Sequence, residues 1–516
     1  MEAGMKISSK AIAALSIVAV GAGLIFTGLH FSVAKAAPPS RQPNVIVILA
    51  DDLGYADISA YKIDRFHTPN IDRIGMQGVR FTDGYASAPV CGPSRAGLQT
   101  GRYQERFGFE YNNGPAAREA REGYGLDTNE ITMAQLMKRA GYHTGVFGKW
   151  HLGSQDQFYP TNRGYDEFIG FLPGQTSYID PDRPDVELST ADSPGNADNP
   201  EGGRAPEPGK KAREYYRNKF SQILDGPNRT VVQNNDQYLT DYLGDKDSDF
   251  VSRNAQSGKP YFLYAAFNAV HEPLMVTKKY YDRFPNIKNQ QQRVYTAMVA
   301  ALDDNVGKIL DAVDRSGQAD NTIIYFASDN GCAAYVPGLC SCDPLRGGKL
   351  SHYEGGTRVP FMMRWPGHIK PGTVYRQVAS LLDILPTSVA VAGGQLPKDR
   401  FYDGVDIMPY VTGRKSGTPH DLLVWRRRPL VSIRKGDWKL WESVNDDTGK
   451  YGEYKLLFNL KNDLHEDTNL ADKNPEKVKE LEGLIQQWSK DMTSAKWPSR
   501  PPVTYNVCGT PFTLPI

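Results

Sequence analysis

An α/β fold built on a large central sheet, mixed but mostly parallel and flanked by helices, follows from three observations in this 516-residue sequence. Residues 44–50, Asn-Val-Ile-Val-Ile-Leu-Ala, are a continuous apolar run without alternation, the pattern of a strand buried on both faces. Similar short runs recur at 144–147, 261–267, 322–327 and 359–364, with helical periodicity between them at 131–140 and 294–313. Polar or charged residues follow these strand ends repeatedly. In open α/β sheets the crevice beyond the carboxyl ends of the strands is where ligands bind.

The large unit is expected over 44–418, and from about residue 419 the character changes. Residues 430–434, 438–441 and 454–460 read as short strands separated by turns, among them Lys435-Gly436-Asp437. Residues 475–494 read as one helix, with Pro475 near its start and Leu481, Leu484, Ile485 and Trp488 at helical spacing. A smaller C-terminal subdomain, 419–516, of antiparallel sheet plus helix is therefore expected. Residues 181–211, rich in Pro, Gly, Asp and Asn, read as a long irregular insertion, either a solvated loop or a rim that meets substrate.

At the N-terminus, Lys6 and Lys10 precede an apolar stretch over 11–31 and the small-residue site Ala34-Lys35-Ala36. This is the layout of a secretory signal over 1–36, cleaved near Ala36 and followed by a linker over 37–43. An uncleaved anchor is the alternative, since about 20 apolar residues span a bilayer. Cleavage implies a bacterial periplasmic or secreted protein with no stable membrane insertion. The balance of 60 Lys+Arg against 59 Asp+Glu argues against a nucleic-acid role, so an anionic substrate would be met by a local basic cleft.

Five motifs carry chemistry. Cys91-Gly92-Pro93-Ser94-Arg95 holds a cysteine between a Gly-Pro turn and a helix start, where backbone N–H groups point at an anion. Asp51-Asp52 ends the first strand, and adjacent carboxylates repel unless a cation or proton sits between them. Ser328-Asp329-Asn330-Gly331 ends another strand with a second carboxylate and an amide oxygen, and a hard divalent cation suits these oxygen ligands. In Gly148-Lys149-Trp150-His151-Leu152-Gly153, Lys149 and His151 stand two apart and can face one cleft from an extended segment. The fifth set is His271, in Asn268-Ala269-Val270-His271-Glu272-Pro273, with Lys349, in Arg346-Gly347-Gly348-Lys349 ahead of Tyr353-Glu354-Gly355-Gly356-Thr357-Arg358-Val359-Pro360.

Over roughly residues 44–410 these motifs, in this order, resemble the type I, formylglycine-dependent sulfatases of the alkaline-phosphatase-like superfamily. The resemblance implies that Cys91 is oxidised by a formylglycine-generating enzyme, with Ser94 aiding recognition of the segment. It implies calcium bound by Asp51, Asp52, Asp329, Asn330 and the modified Cys91. By the same resemblance Arg95 holds the formylglycine hydroxyl, Lys149 and Lys349 bind sulfate, His271 bonds the sulfate and its bridging oxygen, and His151 is a base. Glu354 and Arg358 are expected to make structural ion pairs. With Cys91 consumed, Cys332, Cys340, Cys342 and Cys508 allow two disulfides in three pairings.

The implied activity is hydrolysis of sulfate esters on a sulfated polysaccharide or oligosaccharide, with marine galactans such as carrageenan as a candidate. Two rival readings are a phosphonate or phosphate monoester hydrolase on the same scaffold and a catalytically inactive secreted glycan-binding protein. The insertion at 181–211 and the stretch 332–342 depart from the family pattern and lie where substrate choice would be set.

Overall fold

The computed structural model describes residues 42–61, 66–114, 116–189, 213–214, 217, 221–232, 236–334, 339, 343–443, 454–499, 503–507 and 510–514. The expected signal segment, most of the linker and insertion, and Cys340, Cys342 and Cys508 lie outside these residues.

A ten-stranded sheet runs in the order Thr373–Tyr375, Val79–Phe81, Phe361–Arg364, Thr322–Ser328, Asn44–Ala50, Tyr261–Ala266, His143–Lys149, Glu167–Phe171, Ile223–Asp225, Thr230–Val232. Its five central strands, from Thr322–Ser328 to Glu167–Phe171, are parallel. Antiparallel pairs flank them on both sides. The expected run at 359–364 is a strand only over Phe361–Arg364, because Pro360 has no N–H to give to a ladder.

Alternation along Asn44–Ala50 explains the continuous apolar run. Ile46, Ile48 and Ala50 enter one core, shared with Leu302, Val306 and Ile309 of the helix Gln290–Arg315 and Leu243 and Phe250 of the helix Leu239–Ser257. Val45, Val47 and Leu49 enter the opposite core with Ala96 and Leu98 of the helix Cys91–Thr100 and Met133 and Met137 of Met133–Arg139. Each Val, Leu, Ile, Phe or Met among these contributes about 1.5–3 kcal/mol by leaving water.

The register sets the site. Ala50 pairs with Ser328, Leu49 with Ala266, and Ala266 with Gly148. The four strands therefore end nearly level, and the residues that follow them emerge along one edge.

The C-terminal sheet has four antiparallel strands: Leu422–Arg427, Leu430–Lys435, Trp438–Ser443 and Tyr454–Asn459. On one face Val424, Val431, Ile433, Leu440 and Leu457 pack under Val478, Leu481 and Ile485 of the helix Pro475–Ser489. The other face carries buried cations against residues 346–358. Lys439 Nζ lies 2.9 Å from Glu354 and 3.1 Å from Glu466. Arg434 pairs with Asp83 at 2.8 Å, and Arg427 donates to the Leu350 carbonyl at 3.1 Å. Arg358 bridges Glu354 and Asp83 at 3.2 and 3.1 Å, an ion pair of the kind the motif suggested. Burial pushes Glu354 up, but Lys439, Arg358 and Arg434 outweigh it and hold the carboxyl at about 2.

Replacing Lys439 by Met leaves Glu466 and one oxygen of Glu354 buried without their ammonium. The expected cost is about 3–5 kcal/mol in urea unfolding; a loss under about 1 kcal/mol, the range of exposed pairs, would show that the carboxylates find other cations.

Candidate active site

Four strand ends, one helix start and the loop that carries Lys349 supply the site. Asp51 and Asp52 follow Asn44–Ala50, and Asp329 and Asn330 follow Thr322–Ser328. Lys149 is the last residue of His143–Lys149, with His151 two further on, and His271 lies in the loop after Tyr261–Ala266. Cys91 is the first residue of the helix Cys91–Thr100, every residue of which is buried. The Gly92 N–H, in that helix's first turn, donates to Asn112 Oδ1 at 3.0 Å. Asp52 and His151 both sit in the left-handed region, at φ +60° and +59°, a conformation that costs energy for residues with a Cβ and recurs at functional positions.

Contacts tie these residues together. Cys91 Sγ lies 3.4 Å from Asp51 Oδ1 and 3.8 Å from Asp52 Oδ1. Lys149 Nζ donates to Asp51 at 2.5 Å, and Lys349 Nζ to Asp52 at 2.8 Å. Arg95 donates from Nε to Asp329 at 2.8 Å and from Nη1 to the Lys149 carbonyl at 3.1 Å, while its Nη2 stands 3.7 Å from Asp51. Asp329 also accepts the Asp52 N–H at 3.3 Å, and Asn330 Nδ2 donates to Asp52 at 2.7 Å. His271 Nε2 is 3.0 Å from Lys349 Nζ, and its Nδ1 is 2.6 Å from the Glu272 carbonyl. A carbonyl only accepts, so Nδ1 carries the proton and Nε2 faces the cluster.

One ligand atom from each of Asp51, Asp52, Cys91 and His271 lies within 4.8 Å of the others. Asp329 and Asn330 join through Asp52, and His271 enters this group although the sequence offers it for the sulfate and its bridging oxygen and not for the metal. His151 stands beside the hydrogen-bond chain: it is 4% exposed, and among the described residues its Nδ1 has no hydrogen-bond partner.

The charges balance. Three buried carboxylates, Asp51, Asp52 and Asp329, face three buried cations, Arg95, Lys149 and Lys349. Burial pushes Asp51 and Asp52 up, but Lys149 and Lys349 respectively, with His271, outweigh it and hold both below the usual range. Burial and the neighbouring Asp51 hold Asp329 above it. Burial drives the Cys91 thiol far up, so the sulfur is neutral, and burial with Lys149 and Arg95 nearby drives His151 well down, so its ring is neutral.

Three positioning residues carry no motif in the sequence. Asn112 holds the start of the Cys91 helix. Tyr178 donates its hydroxyl to the Asn268 and His271 carbonyls at 2.6 and 2.8 Å, fixing the His271 loop. Gly174 lies on the His151 ring: a Cβ there would stand 2.8 Å from Cε1 and Nε2. Each is an ordinary loop residue until the fold brings it to the site.

Comparison with known proteins agrees with this geometry. The model of the Sulfatase family matches residues 43–394, and that of the N-sulphoglucosamine sulphohydrolase C-terminal region matches 348–493. Arylsulfatase G of Rattus norvegicus is 31% identical over 90% of this chain and 89% of its own. The N-acetylgalactosamine-6-sulfatase of Homo sapiens is 33% identical over 80% and 74%. The crystal structure of Ps i-CgsB in complex with k-i-k-neocarrahexaose superposes with a TM-score of 0.75 at 32% identity, covering 89% of this chain and 95% of that one. With that fold, those strand-end residues and those relatives, the chain belongs to the sulfatase family and is a sulfuric ester hydrolase.

Proposed function

We propose that the protein hydrolyses sulfate esters on a sulfated glycan, using a calcium ion and a formylglycine formed from Cys91. The observation that carries this reading is the convergence of Cys91 with buried carboxylates and buried cations at the carboxyl edge of the sheet. The similarity to Ps i-CgsB, bound to a neocarrahexaose, supports a galactan such as carrageenan as the candidate substrate. Cys332 is disulfide-bonded, which supports an exported protein.

The residues fit both groups. Asp51, Asp52, Asp329 and Asn330 offer hard oxygen donors, and Asn330 Oδ1 is buried with no hydrogen-bond partner among the described residues. Because the site's charges already balance, a divalent cation leaves it net positive, which suits an anionic ester. When bound, calcium would supply positive charge for the sulfuryl oxygens and lower the pKa of a neighbouring hydroxyl. The neutral thiol of Cys91 is a poor nucleophile. Formylglycine at that position would supply, as its hydrate, a nucleophilic oxygen.

The chain's own side chains do the rest. Lys149 and Lys349 neutralise charge that develops on the sulfuryl oxygens, and their ammonium groups are within reach once the carboxylates are otherwise engaged. Arg95, locked by Asp329 and the Lys149 carbonyl, orients the group at position 91. Lys349 Nζ donates to His271 Nε2 at 3.0 Å, and this pair is placed to deliver a proton to the leaving alcohol, which matters for a sugar. His151, kept neutral, can accept a proton at the group on residue 91.

Cys91→Ala is expected to abolish sulfate release while leaving the thermal unfolding midpoint in place; full activity in that variant would refute the role of position 91. Mass spectrometry of the peptide containing Cys91 should find formylglycine in active material, and an unmodified thiol there would sink the maturation claim. Prolonged chelation is expected to lower turnover reversibly on calcium return; unchanged rates in metal-free buffer would remove the ion from the mechanism. Gly174→Ala should push the His151 ring and lower kcat on the order of a hundredfold, with KM changing less. A variant with wild-type kcat would show that His151 need not hold its present position.

A further inference from the structure

We propose that Arg428 is a substrate-binding residue whose guanidinium receives a second anionic group, a sulfate or carboxylate, on the sugar next to the ester that is cleaved. This inference rests on the glycan reading above and adds to it a site supplied by the C-terminal sheet.

Arg426, Arg427 and Arg428 are consecutive, and their fates differ. Arg426 is buried against Glu110 at 3.0 Å, and Arg427 is buried and donates to the Leu350 carbonyl. Arg428 is exposed, and among the described residues its guanidinium makes no hydrogen bond or ion pair. The backbone beneath it is held firmly. Its N–H donates to Glu110 at 2.8 Å, its carbonyl accepts from the Tyr111 hydroxyl at 3.0 Å, and Pro429 restricts the turn that it shares.

That turn stands between the two segments that flank the catalytic cluster. On one side Tyr111 adjoins Asn112, which holds the Gly92 N–H next to Cys91. On the other, Arg427 is bonded to Leu350, the neighbour of Lys349. Leu430, two residues past Arg428, packs in one cluster with Val90, the residue before Cys91, and with Leu350. Leu350 in turn donates its N–H to the Pro89 carbonyl at 2.8 Å. A cation without a counter-ion is thus mounted on rigid backbone beside the helix start of Cys91 and the loop of Lys349. A guanidinium forks onto the paired oxygens of sulfate or carboxylate, and the neighbouring sugars of an anionic polymer bring such groups to the rim.

The test compares kcat/KM for matched oligosaccharides that share one scissile sulfate. The sugar beside it carries a sulfate, a carboxylate or no charge. Wild type is expected to prefer a charged neighbour about tenfold or more, the two charged substrates distinguishing which oxyanion is read. Arg428→Gln should collapse that ratio mainly through KM, Arg428→Lys should keep part of it, and added salt should erode it in the wild type. An equal ratio in wild type and Arg428→Gln, or no preference in the wild type, overturns the assignment while the glycan reading stands. Failure of the wild type to release sulfate from all three oligosaccharides overturns the glycan reading, and this subsite with it.

Discussion

Charge compensation in a closed space is the constraint on which this structure depends. Asp51, Asp52 and Asp329 lie 0–2% exposed at the ends of neighbouring parallel strands. The topology forces them together, because strands that run the same way in register deliver their next residues to one edge. Such a group is tolerable only with cations among it, and Arg95, Lys149 and Lys349 come from three other parts of the chain. A buried polar set of this kind is weak evidence for stability, since apolar packing would serve as well. Its value lies in orientation: each carboxylate oxygen is already aimed by a donor.

The same logic operates a layer further out. The C-terminal sheet meets the catalytic unit through Arg427, Arg434 and Lys439 as well as through apolar contact. Their partners there, the Leu350 carbonyl, Asp83 and Glu354, lie around the loop that carries Lys349. Ion pairs demand one geometry where hydrophobic contact accepts several, so the loop inherits its position from the sheet. The position of Lys349 therefore depends on Arg427, Arg434 and Lys439, far later in the sequence.

Much of this was legible in the sequence, and the reasons differ by element. The strand Asn44–Ala50 ends where its apolar run ends, because six apolar residues in a row, rich in β-branched side chains, suit a strand buried on both faces. The helix Pro475–Ser489 stops short of the expected residue 494, its last apolar contact spent at Trp488. The strand Leu422–Arg427 carries little signal in the sequence, since Arg426 and Arg427 look like solvated residues until Glu110 and Leu350 supply their partners. The helix Leu239–Ser257 carries Asp241, Asp245, Asp247 and Asp249, which blur its apolar stripe. At the site, the strand-end acids and the Lys149–His151 pair could be read from spacing and family pattern. Asn112, Tyr178 and Gly174 could not, because what they do is defined by distances to residues remote in the chain.

The helix that begins at Cys91 has a consequence for timing. Cys91 and Ser94 are each 1% exposed and Arg95 not at all, with core packed over the rest of the segment. No macromolecule can grip that stretch once the surrounding layers have closed. Any enzyme that rewrites the sulfur must therefore meet the polypeptide while it is still extended, and its window shuts as folding completes.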